Sequence, residues 1–192
     1  MTEPEVAAAD AILARHGVRY VVIGGQAIAR KAATATRDVD VMVATADYRR
    51  TLDELRGERD LAFDWDDGTL ARFRILSLGG VPLDVLDAVT FAGHGPGEEF
   101  FRFLLEEASE DTDGIRYASP ELVWYTRLLT KRWRAYAEKI VTNVLDGLSP
   151  GRLERVEEIA RRFGTEREMR ERIAYVRAEL ARPDLESLRS SE

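Results

Sequence analysis

Two aspartates, Asp38 and Asp40, stand two positions apart in the hydrophobic segment Asp38-Val39-Asp40-Val41-Met42-Val43. On a strand, residues i and i+2 face the same side, so the two carboxylates lie side by side while Val39 and Val41 face the other way. Carboxylates held that close repel each other unless a cation sits between them. An oxygen-only donor set suits a hard divalent cation such as Mg²⁺. Upstream, across a spacer of twelve residues, the run Tyr20-Val21-Val22-Ile23 leads into Gly24-Gly25. Glycine lets backbone approach a ligand where any Cβ would clash. An acidic pair beside a glycine turn is a kit for holding a metal-bound nucleoside triphosphate.

Hydrophobic periodicity and turn residues give the elements that must position these groups. Residues 4–16 read as a helix, with Val6, Ala9, Ile12 and Leu13 on one face and Gly17 as its stop. Residues 18–23 read as a strand, 25–33 as a short helix, 38–43 as a second strand and 47–55 as a helix. Residues 70–78 and 81–86 read as two strands joined at Gly79-Gly80, a two-residue hairpin turn. Residues 92–97 form a loop, 98–107 a helix and 115–118 a short strand. Asp64, Asp66 and Asp67 read as loop acids. Ser119-Pro120-Glu121 then opens a helical region, with a Ser cap and Pro at the first position. The expected organisation is a mixed α/β unit over residues 1–118 and an all-helical region over 119–192.

The chain has 192 residues, enough for one ordinary domain or a small domain with a helical appendage. It contains no cysteine, which excludes a disulfide framework, a thiol nucleophile and a Cys-based zinc site. Its two histidines, His16 and His94, are too far apart to argue for zinc. Gly93 to Gly97 lacks the Lys-Ser/Thr of a P-loop. No apolar run reaches bilayer length, and the start Met-Thr-Glu-Pro-Glu lacks a basic leader, so a cytoplasmic location with no membrane partner is expected. A net charge of −7 argues against broad binding to duplex nucleic acid but not against a local basic groove.

Ile23-Gly24-Gly25, the spacer of twelve, and Asp38-Val39-Asp40-Val41 resemble the signature of the DNA polymerase beta-like nucleotidyltransferase superfamily. Thr36-Arg37 before the acids looks like its minimal, abortive-infection (AbiEii-type) toxin branch, although Thr34 stands where that branch often has Arg. The resemblance implies a small mixed β-sheet core flanked by helices and followed by a helical bundle. It implies transfer of a nucleoside monophosphate from an NTP, with release of pyrophosphate and about two Mg²⁺ ions. Asp38 and Asp40 would bind both ions, and Gly24, Gly25 and Arg37 would lie against the triphosphate. The implied acceptor is a tRNA 3′ end, as for a toxin of a toxin–antitoxin pair. A protein hydroxyl, as in AMP-transferring antitoxins, a small molecule such as an aminoglycoside, and a degenerate, non-catalytic binding partner are the alternatives.

Members of this superfamily carry a third acid on a later strand. Val81-Pro82-Leu83-Asp84-Val85-Leu86-Asp87 supplies two candidates. Asp84 is mid-strand between hydrophobic neighbours, a costly place for a charge without a partner, and is preferred over Asp87 at the strand end. Beyond Ser119, residues 120–144 read as one helix with no acid between Glu121 and Glu138. Projected as a helix, Trp124, Arg127, Lys131 and Arg134 share one face, opposite Leu122, Tyr125, Leu129, Trp133, Tyr136 and Ile140. That basic face, Lys131 and Arg134 above all, is expected to contact phosphates, with Trp124 available for stacking.

Overall fold

The computed structural model describes residues 4–29, 38–56, 62–64, 72–76, 82–88, 97–111 and 113–182. Among these, the chain runs α1 (Pro4–Arg15), β1 (Tyr20–Ile23), α2 (Gly24–Ala29), β2 (Val39–Val43), α3 (Thr45–Arg56), β3 (Ala62–Asp64), β4 (Arg72–Leu76) and β5 (Pro82–Asp87). It continues through α4 (Gly97–Glu107), β6 (Ser109–Glu110), β7 (Arg116–Tyr117), α5 (Pro120–Leu129), α6 (Trp133–Leu145), α7 (Arg152–Arg162) and α8 (Glu166–Leu180). The fold is a mixed α/β sheet flanked by helices and followed by a helical bundle, as the sequence implies. None of the described helices is long and apolar enough to cross a membrane.

The described strands form one sheet in the order β3-β4-β5-β2-β1-β7-β6. β2 pairs with β5 in parallel and β1 with β7 in parallel, while the remaining neighbours are antiparallel. β1 and β2 occupy the centre, and their near-continuous hydrophobic runs are what a strand covered on both faces requires. Val21, Val22, Val41, Met42 and Val43 are fully buried there. β3 and β6 are strands where the sequence reading had none: both are only two or three residues long, too short to show a period.

α5 connects sheet and bundle. Ser119 caps it by accepting from the Leu122 N–H at 3.4 Å, with Pro120 at the first position. Leu122, Val123, Trp124, Tyr125, Thr126 and Leu128 are all buried, because α5 is surrounded by α2, α6, α7 and α8. A helix apolar all round is a core helix. Tyr125 joins an aromatic cluster with Phe100 of α4 and Phe163, whose rings meet edge-on at 5.1 Å.

The single helix expected over 120–144 is broken. Thr130 takes an extended conformation, and both its N–H and its hydroxyl donate to the Arg127 carbonyl. Arg172 from α8 donates to the Leu128 carbonyl. These substitutes satisfy the carbonyls a continuing helix would have used. The chain restarts at Trp133 in a new direction, so faces projected across the break do not persist.

Candidate active site

The acids are brought together by register. In the parallel β2–β5 pair Asp40 stands opposite Asp84, and parallel partners in register present their side chains on the same face. Asp38, two positions before Asp40, shares that face. One carboxylate oxygen from each of Asp38, Asp40 and Asp84 lies within 4.8 Å of the others. Asp38 and Asp40 are half-buried, whereas Asp84 is 2% exposed. Burial weakens solvent screening and so sharpens the repulsion among three negative groups. Three convergent carboxylates fit a hard divalent cation and no soft one.

Asp87 belongs to a different arrangement. Three residues beyond Asp84, it stands on the other side of the strand, opposite Val43 in the pairing. It is buried and accepts a 2.6 Å hydrogen bond from the Thr45 hydroxyl at the start of α3, where a negative charge suits the helix dipole. It also raises the pKa of Tyr48, although burial is the larger cause, and that phenol is pushed up to about 12.

The glycine turn serves the acids directly. Gly24 adopts φ +69°, a left-handed conformation that side chains disfavour. A Cβ at this position would stand 1.9 Å from Asp40 Oδ2. The group that occupies the space beside Gly24 is therefore the Asp40 carboxylate, not a ligand. Gly25 follows half-exposed in the first turn of α2. Arg37, Arg30 and Lys31 lie outside the described residues.

Arg127 of α5 is half-buried and within the electrostatic reach of Asp40 and Asp38. Burial lowers its pKa, and the attraction of Asp40, then of Tyr136 and Asp38, opposes that shift. Its guanidinium lies 5.6 Å from the centre of the Tyr136 ring. The helical projection set Arg127 and Tyr136 on opposite faces; the break at Thr130 makes them neighbours. Lys131 is exposed in the connection between α5 and α6. Arg134 is exposed and lies over the Trp133 ring at 5.2 Å. Trp124, expected on the basic face, is instead fully buried, with its Nε1 donor meeting no acceptor. It cannot stack on a substrate.

No family model matches this sequence, and no curated protein matches it. Among solved structures, the chain is similar to an antigenic nucleotidyltransferase-like protein from Paracoccidioides brasiliensis, at 20% identity and a TM-score of 0.45 over 98% of this chain and 90% of that one. It is also similar to ANT(2")-Ia in complex with adenylyl-2"-tobramycin, at 18% identity and a TM-score of 0.39 over 92% and 97% of the two chains. The solution structure of the antibiotic-resistance factor ANT(2'')-Ia gives 17% identity and a TM-score of 0.41 over 97% and 96%. At TM-scores below 0.5, these likenesses assign no residue role and no substrate to this chain.

Proposed function

We propose that this protein transfers a nucleoside monophosphate from an NTP to an acceptor hydroxyl, in a Mg²⁺-dependent reaction that releases pyrophosphate. The observation that supports this reading most is the convergence of Asp38, Asp40 and Asp84 within 4.8 Å on one face of the sheet. Asp38 and Asp40 would hold two ions jointly, and Asp84 would complete the set for the ion nearer the acceptor. Bound there, the ions would supply charge neutralisation of the triphosphate and a lowered pKa for the attacking hydroxyl.

The chain's own groups do the rest. Gly24 leaves room for the Asp40 carboxylate, one of the groups that would hold the ions. Gly25, next to Gly24 and half-exposed at the start of α2, has no side chain and would leave room there for a triphosphate. Asp84, nearly inaccessible to water and locked in the β2–β5 ladder, is a rigid acceptor for the hydroxyl proton. Arg127 places a positive charge near the acids, suited to the oxygens of a leaving pyrophosphate. Catalysis is then mainly positioning and electrostatic stabilisation.

The resemblance to the toxin branch favours a tRNA 3′ end as the acceptor and an antitoxin as a protein partner; a protein or aminoglycoside hydroxyl is the competing choice. The decisive assay follows pyrophosphate release and label transfer from each NTP, with and without Mg²⁺, to tRNA, to a partner protein and to an aminoglycoside. Wild type should transfer label to one acceptor class only with Mg²⁺, and Asp40→Asn should reduce transfer by at least about 10²-fold at an unchanged fold. Transfer that survives in Asp40→Asn, or that ignores Mg²⁺, would sink the reading.

A further inference from the structure

An exposed arginine is satisfied by water, but a half-buried one gives up part of its hydration and needs a protein partner in return. The other half-buried arginines among the described residues have one. Arg152 pairs with Glu121, Arg155 with Glu107 and Glu158, and Arg172 donates to the Leu128 carbonyl. Arg127 departs from this pattern. Among the described residues its guanidinium donates no hydrogen bond and pairs with no carboxylate; the group it meets is the ring of Tyr136, 5.6 Å away.

The α5–α6 corner builds that contact. Thr130 ends α5 with its N–H and its hydroxyl both on the Arg127 carbonyl, at 3.3 and 2.9 Å. Arg172 of α8 takes the next carbonyl, that of Leu128. The backbone of Arg127 is thereby tied down, and α6 returns with Tyr136 beside its side chain. The guanidinium is drawn toward Asp40 and Asp38, against the cost of its burial. A ring holds a guanidinium differently from a carboxylate. A carboxylate partner takes two of the N–H donors and cancels the charge. A ring attracts the cation through its π-face, so the charge and the donor fork stay available to something else.

We infer that Tyr136 is a positioning residue, whose ring holds the Arg127 guanidinium near Asp38 and Asp40 with its donors uncommitted, ready for the oxygens of a pyrophosphate group. This role rests on the transfer reaction proposed above. Tyr136 acts through Arg127 and touches no substrate itself. The ring carries the role and the hydroxyl does not. Without the ring, the long Arg127 side chain would have to be ordered by the ligand each time one binds, at a cost in affinity.

Calorimetric titration with inorganic pyrophosphate and Mg²⁺ tests this without an acceptor and without turnover. Wild type should bind pyrophosphate. Tyr136→Leu should weaken binding by about threefold to tenfold, the loss expected when one long side chain must be ordered by the ligand. Tyr136→Phe, which keeps the ring, should bind as wild type does. Arg127→Gln should weaken binding at least as far as Tyr136→Leu, and adding Tyr136→Leu to Arg127→Gln should cost nothing more, because the ring then has no guanidinium to hold. Lys139→Ala removes an exposed cation 5.6 Å from the same ring and should change nothing. Thermal melting checks that each variant is folded. Equal affinities in wild type and Tyr136→Leu would overturn the inference, as would a wild type that binds no pyrophosphate. A loss in Tyr136→Phe equal to that in Tyr136→Leu would also overturn it, by assigning the role to the hydroxyl. So would a full further loss from Tyr136→Leu in the Arg127→Gln background, which would make Tyr136 a direct ligand contact. Label transfer by wild type, with pyrophosphate affinity indifferent to Tyr136→Leu, would sink this role and leave the transferase reading intact. Pyrophosphate binding that needs Arg127 and Tyr136 jointly, with no transfer to any acceptor, would do the reverse.

Discussion

Replacing Gly24 by alanine tests the geometry of the site with a single carbon atom. Two effects add at this position. The left-handed φ of +69° costs a side chain about 1–2 kcal/mol. The new Cβ would also lie 1.9 Å from Asp40 Oδ2 and 2.7 Å from its Cγ, against ordinary contacts that begin at 3.4 Å. The carboxylate must therefore swing away by about 1.5 Å, the difference between those distances. A displacement near 1 Å at a reacting centre is worth about 10²-fold in rate. Loss of an orienting contact on a metal ligand is worth about 10–100-fold in affinity. Gly17 supplies the control: its φ is +62°, and an added Cβ would meet nothing within 4 Å. Gly17→Ala should lower the Tm by about 2–8 °C through backbone strain alone, and leave Mg²⁺ affinity and transfer unchanged. Gly24→Ala should lower the Tm at least as far, weaken Mg²⁺ binding measured by titration calorimetry about 10–100-fold, and cut transfer by about 10²-fold. Wild-type Mg²⁺ affinity in Gly24→Ala would refute the reasoning, because it would mean that the Asp40 carboxylate does not need the place it occupies.

Asp84→Asn and Asp87→Asn should separate two carboxylates of one strand. The first should abolish Mg²⁺-induced thermal stabilisation and leave the metal-free protein no less stable, since it relieves repulsion; the second should weaken the Thr45 bond, cost about 1 kcal/mol and so lower the Tm by about 2–4 °C, with Mg²⁺ affinity intact. Tm shifts in the opposite pattern would reverse the two assignments. Alkaline stability should fall late: burial, chiefly, lifts Tyr48 and Tyr125 from 10.0 to about 12 in the fold, so their contribution is complete below pH 10 and is lost between pH 10 and about 12. Phenolate absorbance that develops fully near pH 10, with the protein still folded, would contradict this.

What the sequence made legible is what local chemistry decides. The i, i+2 spacing placed Asp38 and Asp40 together, and the hydrophobic neighbours of Asp84 marked it as mid-strand; the β2–β5 register puts it opposite Asp40. Ser119-Pro120 announced the start of α5. What stayed illegible depends on partners distant in the chain. Periodicity carried one helix through residues 120–144. The break at Thr130 is completed by Arg172, which reaches the Leu128 carbonyl from α8. Trp124 looked solvent-facing because Arg127 and Lys131 share its projected face, but α5 packs against α2, α6, α7 and α8, and Trp124 is fully buried among them. Arg127 as neighbour of Tyr136 could not be foreseen, since only the turn between the helices makes them meet. The role of Gly24 depended on which atom fills the space beside it, and that atom belongs to the next strand.

The parallel pairing of β2 with β5 also sets the order of events in assembly. Asp40 and Asp84 lie on opposite sides of the β3–β4 excursion, so their meeting requires a long chain closure rather than a local turn. The three-carboxylate cluster is therefore absent from any species in which that ladder is unformed, and the repulsion among the carboxylates is met only as the strands close. Divalent cations would accordingly act on the escape from the native state more than on the approach to it, lengthening the lifetime of the folded chain with little change in how fast it is reached.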